Sequence, residues 1–211
     1  MQAVIFANGA IDDAEPLLKE YDLIIAADGG TRHCKNLGIT PDMVIGDLDS
    51  IEPDDLKSLQ SKGVEIIQHP VKKDQTDLEL ALRLAVKRGA DEIVLFGAMG
   101  MRWDMSIANI LLPVEPYLSN TSIRIINGLH EITMLKTGKQ ITFYGEKGDI
   151  LSLIPVGRDA IGITAGNLEY PLKNSTLQFG STRGISNVFM EKSATVSLKE
   201  GLLLCVHIRI K

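Results

Sequence analysis

The chain has 211 residues, enough to bury a full core as one large domain or two small ones. With 45% hydrophobic and 23% charged residues it has the composition of an ordinary globular protein, and a net charge of -5 gives no reason to expect nonspecific binding to nucleic acid. No basic region precedes the first apolar segment, Pro113 and Pro116 interrupt the best membrane-span candidate, and Cys34 and Cys205 stand far apart in no metal-ligand spacing, so the expectation is a cytoplasmic protein with reduced thiols and no membrane partner.

In chain order, Ala3 to Ala7 reads as a short buried strand that ends at the turn signal Asn8-Gly9. Asp12, Asp13 and Glu15 with Pro16 open a first helix. Leu23 to Ala27 is continuously apolar, the pattern of a parallel strand covered on both faces. It runs into Asp28-Gly29-Gly30, a helix from Thr31 to Leu37 stopped by Gly38, a strand from Met43 to Ile45, and a helix begun by Pro53 and reaching about Lys62. A strand from Val64 to Gln68 precedes the clearest helix, Asp77 to Arg88, whose broad apolar face holds Leu78, Leu80, Ala81, Leu82, Leu84 and Ala85. A strand from Glu92 to Phe96, a helix from about Asp104 to Leu112 and a strand from Ile123 to Ile126 complete an alternation that predicts a doubly wound, mostly parallel α/β sheet.

Near Gly128 the texture changes to short β-rich runs between glycine and polar turns: 140–144, 150–154, 160–164, 168–172, 184–189, 194–198 and 202–210. That spacing predicts a β-sandwich or barrel. The expected division is therefore 1–128 and 129–211.

The acids fall at the punctuation marks. Asp47 and Asp49 sit two apart where an apolar strand ends, and extended backbone would aim both to one side. Asp28, Asp74, Asp77 and Asp104 recur at similar places, which suggests one shared magnesium and phosphate site. Each alone is better read as a turn or helix-cap aspartate. In an open parallel sheet the loops bearing Asp28-Gly29-Gly30, Asp47, Asp49, Lys73 to Asp77 and Gly97 to Gly100 share one rim, where glycines admit a nucleotide closely. Walker A and ordered G-x-G-x-x-G patterns are absent. Thr76 with Glu79 is also a capping box, and Arg102 is either a phosphate clamp or a surface partner of Asp104. Trp103 reads as core. His33, His69, His130 and His207 show no ligand spacing. Ser181 to Asn187 stands out as a small polar stretch that composition alone reads as a hairpin turn.

With these stretches in place the chain resembles bacterial thiamine pyrophosphokinases. The resemblance runs through A-A-D-G-G at 26–30, P-D-M-V-I-G-D-L-D-S at 41–50, K-D-Q-T-D-L-E at 73–79, G-M-R-W-D at 100–104, Y-P-L at 170–172 and R-G-I-S-N at 183–187. It implies a homodimer with an ATP- and magnesium-binding catalytic α/β domain and a β-sandwich for thiamine binding and dimerisation. The implied reaction moves the terminal pyrophosphate of ATP to thiamine and releases AMP. By the same resemblance Asp47, Asp49, Asp74 and Asp77 handle magnesium and phosphates, Asp28 lies near the nucleotide, and Ser186 and Asn187 contact thiamine. Gly29, Gly30, Thr76, Gly97, Arg102 and Asp104 are the other expected ATP contacts, with Lys73 and Arg102 neutralising charge in the transition state. Two positions depart from the pattern: Met101 stands for a glycine and Met105 for a histidine. They motivate the alternatives of a nucleotide-binding sensor dimer with little turnover, or of a pyrophosphokinase for another alcohol.

Overall fold

The computed structural model describes residues 1–12 and 21–210, and they fall into two compact units, Met1–Gly128 and Leu129–Lys211. The helix expected from Asp12, Asp13, Glu15 and Pro16 onward lies outside the described residues.

The first unit carries six parallel strands, β1 (Gln2–Phe6), β2 (Leu23–Ala27), β3 (Met43–Gly46), β4 (Glu65–Gln68), β5 (Glu92–Phe96) and β6 (Ser122–Asn127), in the spatial order β6-β5-β1-β2-β3-β4. Continuous apolar strands bury side chains on both faces because successive residues point opposite ways. Val4, Phe6, Ala26, Val44, Val94 and Phe96 form one face, with Phe6 stacked on Phe96 at 5.8 Å. Ala3, Ile5, Ile25 and Leu95 on the other are equally buried. Helices α1 (Thr31–Asn36), α2 (Pro53–Ser61), α3 (Asp77–Lys87) and α4 (Trp103–Leu111) follow within one or two residues of their sequence signals. Pro53 occupies the first turn of α2, and Thr76 caps α3 by accepting from the Glu79 N–H at 3.2 Å. The Glu79 carboxylate completes no box; it pairs with Arg83. Strand order reverses between β1 and β5, so the ligand crevice of such a sheet lies beyond the carboxyl ends of these two strands.

The second unit is a sandwich of two antiparallel sheets. One has the order β12-β9-β14-β7 and the other β11-β10-β13-β8, over a core of Leu135, Phe143, Leu153, Ile163, Phe189 and Val196. The strands are β7 (His130–Lys136), β8 (Gln140–Tyr144), β9 (Ile150–Pro155), β10 (Ala160–Gly166), β11 (Leu172–Leu177), β12 (Asn187–Val188), β13 (Ser193–Ser197) and β14 (Leu202–Ile208). Three sequence expectations need correction. Strand β7 was not expected at all, because buried polar Thr133 breaks its apolar run. The strand expected over 168–172 lies instead at β11, a polar, largely exposed edge with irregular register, and Leu168 makes only an isolated bridge to Phe189. The run 184–189 shrinks to the two residues of β12.

Among the described residues no helix is long and apolar enough to cross a membrane. Both cysteines are free, and burial pushes each thiol up to about 12.

Candidate active site

Three carboxylates converge at the carboxyl-end rim of the first unit. Asp28 follows β2, Asp47 follows β3 and Asp77 opens α3, and each offers a ligand oxygen within 4.8 Å of the other two. Local backbone makes this possible. Asp28 adopts φ +44 and is 7% exposed, which turns its side chain inward. Gly46 has φ +151, and a Cβ there would come 2.9 Å from Asp28 Cβ and 3.1 Å from Asp77 Oδ1, so only glycine leaves room for the cluster. Leu48, between Asp47 and Asp49, sits at φ +67 with its side chain in the core, a second strained residue at the same loop.

Lys73 lies across this cluster, its Nζ 3.3 Å from Asp47 Oδ2 and 3.0 Å from Asp77 Oδ1. Burial works against the Lys73 charge, but Asp77 and Asp47 outweigh it and raise its pKa. Burial also pushes Asp47 up, yet the Asp49 N–H and the Lys73 ammonium leave it lowered. For Asp77 burial prevails, helped by the charges of Asp47 and Asp28 against Lys73, and its pKa is raised. Oδ1 of Asp28 and Oδ1 of Asp77 are buried without an aligned hydrogen-bond donor. Three converging carboxylates, of which Asp28 keeps a buried oxygen that no donor reaches, are the hard-oxygen donor set of a magnesium-type cation, so the residues present fit such an ion.

Beside the cluster a cavity of about 490 Å³ opens at the strand-order reversal, between the loops after β1 and β5 and the loop leading to α3. The first two loops are bound together, Gly9 N–H donating to Gly97 O at 2.7 Å and Ala10 N–H to Met99 O at 2.7 Å. Two residues of α4 that sequence reasoning missed fix the second loop. Asn109 donates to Ala98 O at 2.7 Å, and the Ser106 hydroxyl accepts from Gly100 N–H at 3.1 Å and donates to Arg102 O at 3.0 Å. Their signal was present: two polar residues three apart in a helix that is otherwise apolar after its first turn.

Of the expected residues, the structure brings together Asp47, Asp77 and Lys73 and adds Asp28 as the third carboxylate. Asp49 and Asp74 are exposed and stand outside that group. Thr76, Gly97 and Arg102 line the cavity. Gly29 and Gly30 do not: they are buried in a single 3-10 turn, packed against Asn8 and the Phe6 carbonyl, where a Cβ would collide. Arg102 pairs with Asp104 through Nε at 3.2 Å and through Nη2, both side chains being exposed. Trp103, expected in the core, is 78% exposed. Met101 is 99% exposed and is not among the residues with positive φ, so this backbone has no need of glycine there. Met105 lines the cavity.

In the second unit Ser186 is exposed at φ +60, its N–H donating to Ser152 Oγ at 3.0 Å. Asn187 is buried, and its side-chain amide is spent on Tyr170: Oδ1 accepts from Tyr170 N–H at 3.0 Å, and Nδ2 donates to Tyr170 O at 2.8 Å. The Tyr170 ring, held by its backbone on both sides, stays 67% exposed. The same unit holds a buried pair, His207 Nε2 to Asp149 Oδ2 at 2.9 Å, with the imidazole stacked on Phe189 at 4.9 Å.

Comparison with known proteins bears on both units. The family model for the thiamin pyrophosphokinase catalytic domain matches residues 14–126, and that for the thiamin pyrophosphokinase vitamin B1 binding domain matches residues 130–203. Thiamine pyrophosphokinase of Bacillus subtilis is 32% identical over 197 residues, 93% of this chain and 92% of that protein. The Bacillus subtilis crystal structure superposes with a TM-score of 0.88 at 31% identity, with full coverage of both chains. That of the Geobacillus thermodenitrificans thiamin pyrophosphokinase gives 0.84 at 29% identity, covering 99% of this chain and 97% of the other. This chain belongs to the thiamin pyrophosphokinase family.

Proposed function

We propose that the chain is a thiamine diphosphokinase: it transfers the terminal pyrophosphate of ATP to the hydroxyethyl oxygen of thiamine and releases AMP. The observation that carries the reading is the convergence of Asp28, Asp47, Asp77 and Lys73 beside the cavity at the strand-order reversal, in a chain of this family. The thiamine oxygen attacks the β-phosphorus, the bond from that phosphorus to the bridging oxygen breaks, and AMP leaves with the bond's electrons. Asp74, exposed on the same loop and outside the carboxylate trio, accepts the hydroxyl proton. Asp28, Asp47 and Asp77 would hold magnesium, which when bound would supply positive charge to the phosphate oxygens. Lys73 adds a cation from the chain, and Arg102, steadied by Asp104, presents its remaining guanidinium donors from the cavity wall. The rigid loops tied by Asn109 and Ser106 receive the nucleotide.

Residues 1–128 then serve ATP and metal, and 129–211 serve thiamine and dimerisation. Of the candidate rings Tyr170, Phe179 and Phe189, Tyr170 is the one for the cationic thiamine: it is exposed and Asn187 holds both its N–H and its carbonyl, whereas Phe189 is fully buried under His207 and Phe179, though exposed, has only its N–H held by a side chain, Asp159. Asn187 acts through Tyr170, and the Ser186 hydroxyl faces solvent beside it. Two copies form a homodimer, so light scattering should give twice the 23.0 kDa chain mass. The free cysteines support a reducing, cytoplasmic setting.

Incubation with ATP, magnesium and thiamine tests the reading. AMP and thiamine diphosphate should appear in equal amounts. ADP as product would make the protein an ordinary kinase, and ATP bound without any product would make it a sensor.

A further inference from the structure

Lys73 and a divalent cation compete for the same oxygens. The ammonium touches Asp47 Oδ2 and Asp77 Oδ1, two members of the carboxylate trio. A magnesium ion takes carboxylate oxygens at about 2.1 Å, so an ion bound at Asp77 Oδ1 would stand within about 5 Å of Nζ. The two cations would then compete for that oxygen. We propose that Lys73 is a tethered counter-ion that weakens metal binding until nucleotide arrives. In the free protein it covers Asp47 and Asp77; an arriving polyphosphate draws it off and opens the trio to the metal.

Three features of the site favour exchange over a permanent bridge. Lys73 is held by two charge contacts, 3.3 Å to Asp47 Oδ2 and 3.0 Å to Asp77 Oδ1, and a polyphosphate offers an ammonium equivalent anionic partners. Lys73 sits in the irregular stretch before α3 and itself lines the cavity, so rotation of its four-carbon stem carries the ammonium from the carboxylates to a bound phosphate without moving a regular element. The charge count agrees as well. Three carboxylates and one ammonium leave a net charge of two minus, against three minus once Lys73 departs, so its departure strengthens the pull on a divalent ion. Asp28, 93% buried with Oδ1 unpaired, remains in place as the fixed ligand throughout. By linkage, whatever factor nucleotide adds to metal affinity, metal adds to nucleotide affinity.

This rests on the proposed function for the identity of the nucleotide, but its test does not use turnover. Free manganese(II) is titrated against nucleotide-free protein by paramagnetic resonance, for wild type, Lys73→Met and Lys73→Gln. Removing the ammonium should tighten manganese binding by roughly tenfold or more, and α,β-methylene-ATP should then strengthen it less than in wild type, after correction for the metal–nucleotide complex in solution. Equal or weaker binding by folded Lys73 variants would overturn the proposal. A second measurement uses wild type only: labelling of Lys73 by an amine-reactive reagent, read by mass spectrometry. Manganese should raise Lys73 labelling and the nucleotide analogue should suppress it again. Labelling indifferent to saturating manganese would also overturn the exchange, even if the variants fail to fold. Absence of AMP in the wild-type assay would remove the proposed reaction and leave the manganese result readable.

Discussion

Gly46 and Asp28 approach so closely that a methyl group on the first would come 2.9 Å from Cβ of the second. The motif Gly46-Asp47-Leu48-Asp49 is therefore read as much by its missing side chain as by its carboxylates. Gly46→Ala adds a clash with Asp28 and Asp77 to a backbone at φ +151. We expect turnover to fall at least tenfold, about 1.4 kcal/mol of barrier, together with weaker manganese binding and a lower melting temperature. Unchanged metal affinity in the folded variant would mean that the trio is not arranged for a cation.

Metal binding separates the acids into two sets. Asp28→Asn, Asp47→Asn and Asp77→Asn should each abolish measurable manganese binding by the nucleotide-free protein, whereas Asp49→Asn and Asp74→Asn should retain it, because both lie outside the trio. Asp77 carries an additional signature. Its pKa is raised in the folded state, so its contribution to stability is present at low pH and is lost as pH rises through the folded pKa. In metal-free buffer at neutral pH, Asp77→Asn should melt higher than wild type while losing activity. A lower melting temperature would show that the Lys73 contact outweighs burial.

The α/β half was legible because buried parallel strands are continuous apolar runs and its helices carry strong ends: Pro53 in the first turn of α2, and Thr76 capping α3. The β half was less so. An edge strand built of Lys173, Asn174, Ser175 and Thr176 has no apolar alternation to read, and buried Thr133 disguises β7. Pairing across a sheet, not local composition, makes both of them strands.

The site was legible as a rim and not as a set of contacts. Sequence spacing aimed Asp47 and Asp49 to one side, but Leu48 at φ +67 breaks that alternation, and of the four acids expected at the metal Asp47 and Asp77 are the two that converge. Asp28 joins through its own left-handed backbone, a conformation that a single sequence does not announce. Asn187 was read as a ligand contact, and its amide is satisfied by the backbone of Tyr170, seventeen residues away.

That pairing separates two roles in the second unit. Tyr170→Ala should raise the KM for thiamine several-fold and leave the KM for ATP unchanged, while Tyr170→Phe keeps the ring and stays near wild type. Asn187→Ala should reproduce the thiamine defect with an additional loss of stability of about 1–3 kcal/mol, since it leaves the Tyr170 N–H and carbonyl unpaired. A defect in Asn187→Ala with none in Tyr170→Ala would return the contact to Asn187 itself.

The last expectation concerns Asp149 in the same unit. Burial pushes its carboxyl up, but the N–H groups of Ile210 and Glu146 and the imidazole of His207 outweigh burial and leave it lowered. These bonds tie the end of β14 to the loop before β9, and the Asp149 carbonyl accepts from Phe189 N–H at 2.8 Å, two residues from Asn187. A depressed folded pKa gives stability that is present above the unfolded value, about 3.9, and is lost as pH falls through the folded one. Asp149→Asn should therefore melt lower than wild type near neutral pH, by about 1.5–3 kcal/mol if one charged hydrogen bond is lost. The gap should narrow as the pH of the melt is brought below about 4, where the wild-type carboxylate also takes up its proton. Melting curves at a series of pH values decide it: a gap that is constant down to the acid limit would assign Asp149 a packing role without charge.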